Sequence, residues 1–180
     1  MNYSCSNQKF KTMLQKSMLQ KFSKKINTFL QLSFRQKFLF FVNFILCGMT
    51  RLLIHCLPFK RLSPYFGQLY DNQLLSTILS QTQLQQATQI KHSIRMAAKY
   101  TPWHSNCLTQ ALVAKFWCQR LNIPYIFYIG IAKDSTKPTG YSAHAWLTTG
   151  PIAITGGYSF SSFQVISSYV SKHIFNKRLA

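Results

Sequence analysis

Cys107 and His144 are the two residues whose types and surroundings suit covalent chemistry in this chain. Pro102 ends one helical pattern, and Ser105 or Asn106 can cap the next by accepting hydrogen bonds from its first N–H groups. Cys107 then falls in the first turn of a new helix, where the positive end of the helix dipole favours a thiolate. Around His144 the residues alternate, with Ala143, Ala145 and Leu147 on one side and His144 and Trp146 on the other, which is the period of a strand. A helix-start cysteine facing a strand histidine can attack a carbonyl, the imidazole taking the thiol proton and later handing it to the leaving amine. Their spacing alone does not single them out, since a buried thiol is commonly inert.

The wording around the pair narrows the reading. Pro102 and Trp103, SNCLTQAL at 105–112, NIP at 122–124, IGI at 129–131, HAWL at 144–147 and TGG at 155–157 together resemble the lasso-peptide B protein family. Those proteins include the microcin-processing leader peptidases and carry a transglutaminase-like cysteine protease domain. The likeness spans residues 52–170 and takes in LPFKRL at 57–62. It implies an α+β fold, a papain/transglutaminase-like core in which the catalytic helix packs on a small antiparallel sheet. A basic, apolar helical extension and linker would occupy residues 1–67, with the protease domain at 68–180. The resemblance further implies Cys107 as nucleophile, His144 as base and no cofactor. The implied partners are a precursor peptide with its leader, a stand-alone leader-recognition protein, and an ATP-dependent cyclase that closes the macrolactam.

The family pattern completes its triad with an aspartate at the place where this chain has Gly156, preceded by Thr155. The Thr155 hydroxyl or a backbone carbonyl is left to orient His144, and neither supplies a charge. Asp134, flanked by Lys133 and Lys137, reads better as a solvated loop acid than as a replacement. An oxyanion would meet the Cys107 N–H and a second donor from Trp103 or Gln110, each of which also reads as a wall or surface residue, as does Trp146. The rival class is a transglutaminase-like binding subunit that has kept its shape and lost turnover, held at a membrane by residues 38–57.

Charge and composition remove other classes. The 180 residues hold 21 Lys plus Arg against two acids, Asp71 and Asp134, for a formal charge of +19. Such a surface calls for a negative partner: nucleic acid, anionic lipid, or an acidic protein or peptide. Finger, RNP and helix-turn-helix wording is missing, which disfavours nucleic acid and leaves an anionic membrane surface among the expected partners. Cys5, Cys47, Cys56, Cys107 and Cys118 form no CxxC pair, and no secretory signal is read. An odd count without a framework suits a reducing compartment, so the expected location is cytoplasmic, peripheral on the inner membrane face. A zinc site from His104, Cys107 and His144 would lack a fourth ligand, and no Gly-rich loop is present for ATP.

The elements that must position the pair follow from periodicity. Residues 1–36 read as a basic amphipathic helix or loosely ordered arm. Residues 38–57 are the most apolar stretch, only just the roughly 20 residues a span needs, and they contain Arg51. Asn43, Cys47, Arg51 and His55 recur every four residues, a polar stripe that suits packing on the domain or lying in a membrane surface better than crossing one. Pro58 stops this helix, and 60–67 is a basic linker. Helical spacing returns over 71–82 and 85–100, with the Gln-rich 81–89 as polar face or connector. The Cys107 helix runs to Leu121, with Leu108, Ala111, Leu112, Phe116 and Trp117 inward and Cys118 in the core; Asn122 takes a left-handed cap and Pro124 forbids continuation. A strand at 125–131, a loop at 133–141, the His144 strand, a turn at 148–151 and a returning strand at 152–155 follow. Residues 160–173 fit a closing strand or a helix equally.

Overall fold

The computed structural model describes residues 31–70, 77–103, 105–157 and 162–172. They fall into two units, 1–38 and 39–180. In the first, the expected helix or arm over 1–36 lies almost wholly outside the described residues. What is described there is a reciprocal cap: the Ser33 hydroxyl accepts from the Gln36 N–H at 3.3 Å, and the Gln36 side-chain oxygen accepts from the Ser33 N–H at 3.0 Å. Helix α1, Phe34–Cys56, starts on it.

In the second unit, α1 runs on to Cys56 and stops before Pro58. A short helix α2, Phe59–Leu62, and a 3₁₀ turn, Ser63–Tyr65, replace the expected linker. The sheet has the order β1-β5-β2-β3-β4, built from Gln68–Leu69, Gln164–Val170, Ile126–Lys133, Tyr141–Thr149 and Ile152–Ala153. Every pairing is antiparallel. Helices α3, Gln81–Tyr100, and α4, Cys107–Arg120, contribute Ala87, Ile90, Ile94, Ala111, Val113 and Ala114 to one core with Phe127, Ile129, Ala145 and Leu147 of the sheet. This is the expected α+β class, and the core draws Cys47, Leu62 and Phe66 into the same unit as the sheet.

Two boundaries differ from expectation. α3 begins at Gln81, because Ser80 is extended (ψ 158°) and caps the helix reciprocally with Gln83, so the Gln-rich piece is helical. Residues 77–80 are not helical, and 71–76 lie outside the described residues. Residues 164–170 form a strand, which settles the open choice for that segment.

α4 approaches its neighbours through small side chains. Ala111, Ala114 and Cys118 are fully buried at helical spacing, while Phe116 is 46% exposed rather than inward. Asn122 has φ 52°, the left-handed conformation expected of it.

The first half of the polar stripe of α1 turns inward: Asn43 and Cys47 are buried, whereas Arg51 is half-buried and His55 exposed. Asn43 is fully buried; its Nδ2 donates to the Ser93 hydroxyl of α3 at 2.9 Å, and its Oδ1 accepts from Trp117 Nε1 of α4 at 2.7 Å. One amide thus satisfies two other helices, so its loss strands polar groups that water does not reach. Asn43→Ala is expected to destabilise the fold by about 2–4 kcal/mol. Urea unfolding checks it, and a midpoint shift no larger than that of an ordinary surface substitution would refute the role.

Candidate active site

The loop before α4 is tied to the helix it precedes. Gln110 Nε2 donates to the Ser105 carbonyl at 2.7 Å, and the Thr101 and Ser105 hydroxyls stand 2.8 Å apart. Asn106 Oδ1 accepts from the Thr109 N–H at 2.9 Å and from its hydroxyl at 2.7 Å, completing the N-cap. Cys107 is therefore the first residue of α4, half-buried, with the cap fixed on its N-terminal side. The first main-chain bond of the helix is Gln110 N–H to Asn106 O, so the Cys107 and Leu108 N–H groups precede the helical ladder.

His144 sits in the middle of the β2–β3 ladder, opposite Gly130. Its ring stacks with Trp146 (centroids 5.7 Å, 24°) and with Phe163 (4.9 Å, 29°). Trp146, only 3% exposed, stacks in turn on Tyr128 at 5.4 Å and forms a rigid wall beside the imidazole. Phe163 was not singled out by the sequence, because it lies in a segment whose element was undecided.

His144 Nε2 stands 3.1 Å from the Gly156 carbonyl oxygen. A carbonyl only accepts, so this contact puts the proton on Nε2 and leaves Nδ1 with the lone pair in the neutral ring. The glycine is required. Its φ is +95°, and a Cβ there would meet the Trp146 Cβ at 2.3 Å. The backbone passes where a side chain cannot, and its carbonyl reaches Nε2 of the imidazole.

The other singled-out residues are placed as follows. The Thr155 hydroxyl is turned away from the imidazole: buried, it accepts from the Leu147 N–H at 3.1 Å, so of the two expected orienting residues Gly156 alone meets His144. Gln110 braces the loop, as above. Trp103 packs on α1, 5.1 Å from Phe44 and against Gly48, with its indole N–H buried and, among the described residues, unpartnered. Asp134 accepts from the Thr136 hydroxyl at 2.6 Å and from its N–H at 3.1 Å. Those bonds, with Lys137 nearby, hold its carboxyl below the usual range, as befits a turn-forming acid. His104 lies outside the described residues. Cys107 packs against the core, and among the described residues no hydrogen bond joins its sulfur to the His144 ring. No group of three or more His, Cys, Asp or Glu is placed to hold a metal among the described residues.

The remaining thiols provide internal controls. Burial pushes Cys118 up to about 12, and burial raises Cys47 too, against a smaller opposing pull from the Ser105 hydroxyl. At neutral pH both are protonated and enclosed, whereas Cys56 is exposed and Cys107 half-buried. Iodoacetamide applied to the native protein is expected to modify Cys107 and Cys56 and to spare Cys47 and Cys118. Peptide mapping reads this, and modification of Cys118 as fast as Cys107 would contradict the placement of α4.

A family model described as Transglutaminase-like superfamily matches residues 53–168, nearly two thirds of the chain. No curated protein and no solved structure matches.

Proposed function

This chain belongs to the transglutaminase-like superfamily, and we propose that within it the protein is a cysteine peptidase that removes the leader of a ribosomally made precursor peptide. The observation that carries the proposal is the bond from His144 Nε2 to the Gly156 carbonyl, which frees Nδ1 to act as a base. In the proposed reaction Nδ1 takes the Cys107 proton and the sulfur attacks the scissile carbonyl. The oxyanion is met by the first-turn N–H groups of α4. The imidazolium proton passes to the leaving amine, and water then cleaves the thioester to release the leader as a carboxylate. Catalytic hydrogen bonds are commonly long before substrate arrives, so Nδ1 and the sulfur are to be joined in the bound complex.

The Gly156 carbonyl steadies the imidazolium as a dipole, without the full charge of an aspartate. A thiolate facing an imidazolium offsets part of that deficit. In the proposed pathway, a stand-alone recognition protein delivers the precursor and a separate ATP-using cyclase closes the lasso ring on the new N-terminus. The missing acid and the unjoined sulfur favour a second reading, a binding subunit without turnover. Incubating the protein with a precursor and its recognition protein, then weighing the products, separates the two. Leader and core fragments are expected; intact precursor bound to the protein would support the subunit instead.

A further inference from the structure

With Asn43 and Cys47 turned inward, α1 presents the opposite of an ordinary surface helix. Phe41, Ile45, Met49 and Leu52 are 55–64% exposed and recur at helical spacing, so they form one apolar ridge on the side away from Asn43 and Cys47. Large apolar side chains exposed in a row mark an interaction site.

The ridge continues into a groove. Leu53 borders a cavity of about 370 Å³ lined also by Leu57, Tyr65, Phe66 and Phe116, with Lys115 as its one charged wall. Burial lowers the Lys115 pKa, and an anionic group there would favour its charged form. Beside the groove, exposed Phe59 and Tyr65 flank exposed Lys60 and Arg61. Aromatic and basic residues around an apolar ridge are the composition of a membrane–water interface.

We propose that this face docks on an anionic phospholipid bilayer, with α1 lying in the plane of the surface. Charge selects the occupant. At +19 with only two acids, a second copy of the chain would be repelled, whereas an anionic leaflet attracts the basic residues. The helix is long and apolar enough to cross a bilayer. Its inward face, however, is hydrogen-bonded through Asn43 to α3 and α4, and α3 is studded with glutamine, so crossing would carry polar helices into hydrocarbon. Lying flat buries the ridge and leaves that packing intact.

Flotation of the full chain with phosphatidylcholine vesicles, with and without phosphatidylglycerol, tests this independently of any peptidase activity. The protein is expected to float with the anionic vesicles, less so as salt rises, and poorly with the neutral ones. The variant Ile45→Ser/Met49→Ser/Leu52→Ser, checked for an unchanged circular dichroism spectrum, should partition on the order of a hundredfold more weakly. Lys60→Gln/Arg61→Gln should bind the anionic vesicles more weakly while keeping the ridge. Three results would overturn the proposal: a wild-type protein that stays in solution, a ridge variant that floats as well as wild type, or a wild-type dimer in sedimentation that the ridge variant dissolves.

Discussion

Replacing Cys107 by alanine is expected to stop the proposed leader removal, lowering the rate on the order of 10⁴-fold or more, because in that reaction the acyl intermediate forms on its sulfur. The fold should be almost untouched. Cys107 is half-buried, and its removal takes one sulfur from the edge of the core while leaving the Asn106 cap and the Gln110 brace in place. The stability change should therefore stay within about 1 kcal/mol. His144→Ala should be nearly as damaging to the rate, while the retained Trp146 wall keeps the strand in register. The measurement is product mass over time beside a denaturation curve. Undiminished cleavage by the alanine variant would remove the peptidase reading outright.

Gly156 carries the second large effect, and its direction runs against intuition. Restoring an acid with Gly156→Asp looks like a repair of the triad, yet a Cβ there meets the Trp146 Cβ at 2.3 Å, on a backbone with φ +95°. Both the strain and the contact act on the wall that holds the imidazole. Gly156→Ala and Gly156→Asp are each expected to lose about 2–4 kcal/mol of stability and to release the His144 ring from its carbonyl partner. Cleavage should fall with both. A Gly156→Asp protein as stable as wild type and faster would show that the carbonyl is a poor substitute for an acid the site accepts.

Much of the site was legible in the residues. A cap at Ser105 or Asn106, of which the helix uses Asn106, Cys107 at a helix start, the left-handed Asn122 and the alternation around His144 all follow from local rules that tertiary packing did not override. The orienting group was legible only as an alternative, since a backbone carbonyl carries no residue signature and Thr155 looked equally able. The start of α3 was written in Ser80 and Gln83, a capping box masked by the run of glutamines after it. Strand β5 was undecided because its residues do not alternate: Gln164, Val165 and Ile166 are all exposed, and only Tyr169 and Val170 reach the core. α1 showed its stripe in sequence but not which way it faced. That depended on Ser93 and Trp117, 50 and 74 positions away in the chain.

The most direct test of the central claim is the intact mass of the protein, quenched in acid while it turns over a precursor presented with its recognition protein. The account predicts a transient species heavier by the leader, joined as a thioester to Cys107 and discharged by hydroxylamine. Leader release with no such adduct, or an adduct on Cys56 instead, would contradict it.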